Sequence, residues 1–174
     1  ETYDCGEFEA VLEPMPDREA NPATMAWWET QPAAWKAATG NPRDPALEMR
    51  RFTEWVASFA GRRGFAARPL LFDGLWIDQY LRLFSREDIF GVSFWGSTLF
   101  DGQAIDIDSY AMGIFGRTAV ANRGGPLPAE WLGHVQHTHS AIDDARGYAN
   151  LLSRLFTIAR QTPDHPGDYF GAER

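Results

Sequence analysis

A histidine and an aspartate near the C-terminal end of the sequence have the types and spacing of catalytic groups. Ser140 and Asp143 have the spacing of a capping box and an Ala-rich apolar run follows, which predicts that a helix begins here. With Ser140 as the N-cap, His139 falls at N′ and Asp144 at N4, two positions that are neighbours in space. An imidazole in such a place can take a proton from water, and a carboxylate can hold a metal ion. The alternative is an ordinary capped surface helix with an incidental histidine.

A second acidic candidate, Asp73, directly follows an apolar run at residues 70–72. The run predicts a buried strand over residues 66–72, and the carboxyl ends of strands in open α/β sheets are where ligands bind. Asp106 stands in another predicted strand, residues 104–107. Taken alone, Asp73 is also explained as a plain N-cap, and Asp106 as an ordinary polar residue at a strand end.

Hydrophobic periodicity predicts the elements that must carry these groups. The predicted strands are residues 8–14, 66–72 and 104–107. Two short helices are predicted within residues 24–38, separated by Pro32, and a third between the cap Asp44 and Gly61. Further helices are predicted at residues 75–84, through Met112 and Ile114, and at residues 141–160. In the last helix the residues expected to face inward are Ala145, Tyr148, Ala149, Leu152, Phe156 and Ala159. This order of elements predicts an α/β domain with helices on both faces of a sheet.

Composition limits the classes of function. The 174 residues suit one domain with a sizeable core, and no apolar run approaches the roughly 20 residues that span a membrane. Cys5 is the single cysteine, which excludes an intramolecular disulfide and favours a reducing compartment, here taken as the cytoplasm. The net charge of −8 argues against wrapping a long nucleic acid by neutralising phosphates. It does not argue against gripping a strand end, because bound metal ions would invert the local field.

Together these residues form a series that resembles the 3′–5′ exonucleases of the Asp-Glu-Asp-Asp (DEDD) superfamily, in the branch with a histidine in its last motif (DEDDh). The last motif, His-x-Ala-x-x-Asp-Ala, stands as residues 139–145, and the second, an apolar strand ending in Phe-Asp, as residues 71–73. Residues 106–112 resemble the family's connector, and 24–28 with Gln31-Pro32 resemble a variant found in phage and bacterial members. The resemblance implies a ribonuclease H-like mixed sheet flanked by helices, in a domain at 1–161. The polar composition of residues 162–174 predicts a tail after it.

The family's first motif, Asp-x-Glu on the first strand, has no counterpart upstream of the strand predicted at residues 8–14. Glu7 and Glu9 would share one face of a strand, but they align with the family's second or third strand. The expectation is that this chain begins after the first strand of the family's sheet and lacks the two carboxylates that this strand carries.

The resemblance assigns roles to residues of this chain. Asp73 and Asp144 would be ligands of two Mg²⁺ or Mn²⁺ ions, and His139 would deprotonate the attacking water. The products would be nucleoside 5′-monophosphates released from the 3′ end of single-stranded RNA or DNA. Met25, Trp27 and Trp28 are candidates for stacking on the terminal base, since every base has a π-face, although one tryptophan is expected in the core. Ribonuclease T-like relatives are often dimers, so a homodimer is possible.

Two other functions stay open at this stage. The first is a nucleic-acid-binding or interaction domain of the same fold that lacks catalysis. The second is an unrelated zinc hydrolase that uses His134, His137 and His139, the last two of which alternate as on a strand. The zinc site has few ligands, because no second cluster is visible in the sequence.

Overall fold

The computed structural model describes residues 6–90, 99–116, 129–136 and 138–161, and in these ranges it is a mixed α/β structure in which helices predominate. In chain order the elements are α1 (Pro22–Glu29), α2 (Pro32–Thr39), α3 (Pro45–Ala57), β1 (Ala66–Ala67), a π-helical turn (Leu70–Gly74), α4 (Leu75–Phe84), β2 (Ile105–Asp106), α5 (Ile107–Phe115), a 3₁₀ turn (Ala129–Leu132) and α6 (Ala141–Gln161).

The first two helices form the pair that Pro32 predicted. The side chain of Asn21 caps α1 by accepting from the N–H of Thr24 at 3.1 Å, and Pro22 and Pro32 each occupy the first turn of their helix. None of the eight described residues of α1 is buried. The helix therefore lies on the surface of the described structure.

The helix predicted after Asp44 is also confirmed, although it ends at Ala57 rather than at Gly61. The carboxylate of Asp44 accepts from the N–H of Leu47 at 2.7 Å, and Pro45 begins the helix. The strand predicted at residues 8–14 is wrong, because Leu12 makes only one isolated parallel bridge, to Arg43. Pro14 has no N–H to donate, so pairing cannot continue past Glu13 in the regular pattern.

The strand predicted at residues 66–72 is correct only at its start. Ala66 and Ala67 pair in parallel with Ile105 and Asp106, while residues 70–74 form the π-helical turn that leads into α4. Pro69 cannot donate to a ladder, and its carbonyl instead accepts from the N–H groups of residues 72 and 73 at 3.2 and 3.1 Å. A short apolar run fits a strand or a helical turn equally well, and here the turn forms.

Asp106 closes this region as a structural cap. One carboxylate oxygen accepts from the N–H of Ser109 at 2.7 Å and begins α5, and the other accepts from the N–H of Leu70 at 2.9 Å. These bonds lower the pKa of Asp106 against the opposing effect of partial burial. The structural explanation of Asp106 is therefore the correct one.

Two apolar clusters lie on either side of the short sheet. The first consists of Val56, Leu81, Ile89, Leu99 and Phe100, with Phe65 and Ala104 packed against it. The second consists of Ile107, Leu151 and Leu155, with Ala66 packed against it. The residues around β1 and β2 thus contact both clusters, as a sheet between two layers of helices does.

The buried face of α6 differs from the predicted one. Its buried residues are Gly147, Leu151, Leu155 and Ala159, and of the predicted set Ala145, Ala149 and Phe156 are exposed. The helix is therefore turned relative to the prediction. Tyr148 and Leu152 are half-buried at the side of the true face, and Asp144 lies one turn before Tyr148 on the same side.

No helix among the described residues is long and apolar enough to cross a bilayer. The predicted tail, residues 162–174, lies outside the described residues, as do residues 117–128.

Candidate functional site

Asp73 and Asp144 are close enough for their charges to interact, although they are far apart in the sequence. Asp73 lies in the π-helical turn before α4, and Asp144 lies in the first turn of α6. The pKa of Asp73 is raised, first by partial desolvation of its carboxyl group and then by the negative charge of Asp144. Asp73 is exposed as a residue, so the packing of atoms around its carboxyl group, rather than burial in the core, explains the desolvation.

A pair of carboxylates that repel one another in this way is the arrangement that a cation would relieve. Asp144 is at the fourth helical position, and its N–H donates to the carbonyl of Ser140 at 3.1 Å. Ser140 is therefore the residue that opens α6, as the spacing predicted.

The predicted capping box takes a different form. The N–H of Ser140 donates to the hydroxyl oxygen of Thr138 at 3.2 Å, and that hydroxyl donates to the carboxylate of Asp143 at 2.7 Å. Asp143 also accepts from Arg146 at 2.8 Å. Asp143 thus holds the segment before the helix through Thr138, and its pKa is lowered by these bonds, with Thr138 as the largest cause.

His139 stands directly before α6 in a left-handed conformation, with φ of 60°, and is half-buried. Few residues other than glycine adopt this conformation, and where they do they often lie at functional sites. Its ring meets the ring of Trp27 edge to face, with centroids 5.0 Å apart. The contact places a residue of α1 beside the N-terminal end of α6.

Of the three predicted stacking residues, Trp27 is the one next to His139. Trp27 is 42% exposed, and its ring lies 4.8 Å from that of Trp28, which is half-buried. Met25 is half-buried on the same helix. The expectation that one tryptophan belongs to the core is wrong, because α1 buries neither of them.

Tyr148 and Arg68 belong to this site and were not identified from the sequence. Burial raises the pKa of Tyr148, the charge and hydrogen bond of Arg68 lower it, and the charges of Asp144 and Asp73 raise it. The guanidinium of Arg68 lies 5.4 Å from the centre of the Tyr148 ring and donates from Nε to Asp108 at 2.7 Å. The one available signal was the i,i+4 spacing of Asp144 and Tyr148 on a helix.

The donor set decides how well a metal ion fits. Asp73 and Asp144 offer carboxylate oxygens, which are the ligands that Mg²⁺ and Mn²⁺ prefer. The described ranges contain no group of three or more His, Cys, Asp or Glu side chains that could hold a metal ion. A centre with two ions needs more oxygen ligands than this pair supplies.

Glu7, a candidate for the missing acidic pair, has another partner. Its two carboxylate oxygens accept from Nε and Nη2 of Arg146, both at 2.7 Å, and this pairing is the main reason that its pKa is lowered. Glu9 is exposed. Glu7 therefore joins the N-terminal segment to α6 through Arg146.

Of the three histidines of the zinc hypothesis, His137 lies outside the described residues. His134 is exposed in the turn after residues 129–132, with φ of 58°. His139 contacts Trp27.

Comparison with protein-family models found no matching model, and comparisons with curated proteins and with solved structures found no match either.

Proposed function

We propose that this protein is a metal-dependent 3′–5′ exonuclease with a ribonuclease H-like fold, which removes nucleoside 5′-monophosphates from single-stranded RNA or DNA. The proximity of Asp73 and Asp144 is the observation that carries the proposal. The two carboxylates stand on separate elements, and the charge of Asp144, after partial desolvation, raises the pKa of Asp73. Perturbed acids of this kind are concentrated at functional sites.

Each residue of the site has a distinct task in this function. Asp73 and Asp144 hold the divalent cation, and His139 takes the proton of the attacking water, because an imidazole exchanges a proton close to neutral pH. Trp27 lies beside His139 and provides the face on which the terminal base stacks. A bound Mg²⁺ or Mn²⁺ supplies positive charge to the phosphate oxygens and makes water more acidic.

The second ion of a two-metal centre would need ligands beyond Asp73 and Asp144. In the DEDDh exonucleases that the sequence resembles, an Asp-x-Glu pair supplies them, and this motif has no counterpart upstream of residues 8–14. The fold proposal has the same basis: the parallel pair of β1 and β2, with helices on both sides, is compatible with a ribonuclease H-like sheet. A homodimer and a cytoplasmic location remain predictions.

The function is tested by following mononucleotide release from a 3′-labelled single strand in Mn²⁺ with the full-length protein. His139→Ala is expected to slow release by about 10²- to 10⁴-fold, the usual contribution of a general base. Asp144→Asn is expected to weaken Mn²⁺ binding in calorimetry as well as to slow release, because it removes a charged ligand from a pair.

Asp143→Asn is the matched control, since it changes the neighbouring acid while an amide oxygen can still accept from Thr138. It should leave Mn²⁺ affinity and release close to wild type. Near-normal release by His139→Ala would remove this residue from the mechanism. An equal loss of Mn²⁺ affinity and of mononucleotide release in Asp143→Asn and Asp144→Asn would point to the negative charge at the start of α6. Ligation by Asp144 would then not be the cause.

A nucleic-acid-binding domain without catalysis is the second candidate. It is favoured by the donor set of the described residues, in which only two carboxylates meet. The same assay separates the two functions, because a binding domain would retain a single strand in Mn²⁺ and release no mononucleotide.

A further inference from the structure

Three tryptophans continue the line of rings that begins at His139. From His139 the ring centroids follow one another through Trp27, Trp28 and Trp35 at steps of 5.0, 4.8 and 5.4 Å. Trp35 belongs to α2, so the row crosses from one helix of the surface pair to the next. We call these three side chains the tryptophan row.

The row lies at the surface of the described structure. Trp27 and Trp35 are 42% and 37% exposed, and Trp28 is half-buried between them. Neighbouring rings meet at interplanar angles of 67° and 51°, so they pack edge-on or tilted and not as a parallel stack. Large aromatic surface that is left accessible in a continuous patch indicates an interaction site.

The two helices that carry the row are less acidic than the chain as a whole, which lowers the repulsion of a nucleic acid there. Lys36, the single lysine of the chain, follows Trp35 in the last turn of α2. Glu29 is the acidic residue of the two helices, which leaves the pair close to neutral in a chain whose net charge is −8. Base stacking on aromatic rings contributes affinity beside any phosphate contacts, because every base has a π-face.

We propose that the tryptophan row is a stacking surface for three consecutive nucleotides of a single strand, with the terminal base on Trp27 and the third on Trp35. This inference rests on the proposed function, because the position of His139 is what orients the strand. The spacing of about 5 Å per ring exceeds the roughly 3.4 Å per nucleotide of a helical strand, so the bound strand is partly extended. A duplex does not fit, since its bases already stack on one another.

The proposal predicts a defined dependence on strand length. Binding of oligothymidylates of one to six nucleotides to the full-length protein is followed by quenching of tryptophan fluorescence in EDTA, where no metal-dependent hydrolysis occurs. The affinity is expected to rise by about fivefold or more for each nucleotide up to three, and then to level off. A blunt duplex of the same sequence should bind more weakly than the single strand.

Trp35→Leu should remove the step from two nucleotides to three and leave the affinity for a mononucleotide unchanged. Phe156→Leu is the matched control, because Phe156 is also 37% exposed but lies on α6, outside the row. Circular dichroism establishes that each variant is folded, and Trp35→Phe, which keeps a smaller ring, should show an intermediate step.

A length series without steps, or an equal loss in Trp35→Leu and Phe156→Leu, would overturn the proposal. So would quenching that follows protein concentration instead of added strand, because the row would then bind a second copy of the chain. Hydrolysis in Mn²⁺ is measured separately. Length steps without hydrolysis would keep the stacking surface and reject the exonuclease, and hydrolysis without length steps would do the reverse.

Discussion

Asp73→Asn is expected to make the protein more stable while it weakens metal binding. The pKa of Asp73 in the folded state is raised above its ordinary value of 3.8 by desolvation and by Asp144. The folded state therefore binds its proton more tightly than the unfolded state does, and stability falls as pH rises through the interval between the two pKa values. Above that interval the whole destabilisation is present, and below pH 3.8 it is absent.

The size of this effect follows from the exposure of the site. Because Asp73 is exposed, solvent screens its repulsion with Asp144, and the interaction is worth a few tenths to about 1 kcal/mol. For a protein of this length, that corresponds to a rise in Tm of about 1–4 °C in Asp73→Asn at pH 7. At pH 3 the variant and the wild type should melt together.

In the presence of a divalent metal ion, the wild type should have the higher Tm and Asp73→Asn the lower one. A ligand at 100 times its Kd stabilises a folded protein by about 2.7 kcal/mol, so Mn²⁺ should raise the Tm of the wild type and affect the variant much less. The assay is thermal melting by circular dichroism at pH 7 in EDTA, at pH 7 in Mn²⁺, and at pH 3.

Asp143→Asn provides a control with the opposite sign, because bonds from Thr138 and Arg146 lower the pKa of Asp143. Loss of the Asp143 carboxylate in Asp143→Asn should destabilise the protein at pH 7. A lower Tm for Asp73→Asn in EDTA would refute the reasoning, since it would mean that the ionised carboxylate stabilises the fold. Equal stabilisation of both proteins by Mn²⁺ would show that Asp73 is not a metal ligand.

Three further changes test the packing that positions the site. Glu7→Gln should lower the Tm at pH 7, and in a pH series the difference should disappear as pH falls through the lowered pKa of Glu7, because the partner Arg146 then faces a protonated acid in the wild type. Leu155→Ala removes a fully buried side chain and should cost about 2–5 kcal/mol in urea unfolding; a cost below 1 kcal/mol would place α6 outside the core. Gly133→Ala should destabilise by about 1 kcal/mol or more in the same assay, since Gly133 has φ of 65° and an added Cβ would collide with the side chain of Asn150. An unchanged midpoint would mean that this turn is not packed on α6.

Local chemistry decided the elements that were predicted correctly. Asn21 and Asp44 accept from backbone N–H groups of the first turn and a proline follows each of them, so these helices begin where their caps stand. The helix at residues 75–84 was predicted from the spacing of its apolar residues, because no side chain caps it, and the start of α6 was predicted from the capping spacing of Ser140 and Asp143. Such signals act within four residues, and a sequence displays them directly.

The sequence singled out His139, Asp73, Asp144 and Trp27 as candidates, and the tertiary structure decided which of them lie near one another. Pairing over residues 66–72 stopped at Ala67, so Asp73 reaches the site from a π-helical turn and not from the end of a strand. The face that α6 buries could not be predicted from its pattern of apolar residues. For the same reason the position of Tyr148 near Asp144 and Asp73 could not be predicted. Which face a helix buries, and which distant charges it brings together, depends on what packs against it, and that information is spread over contacts that no local pattern contains.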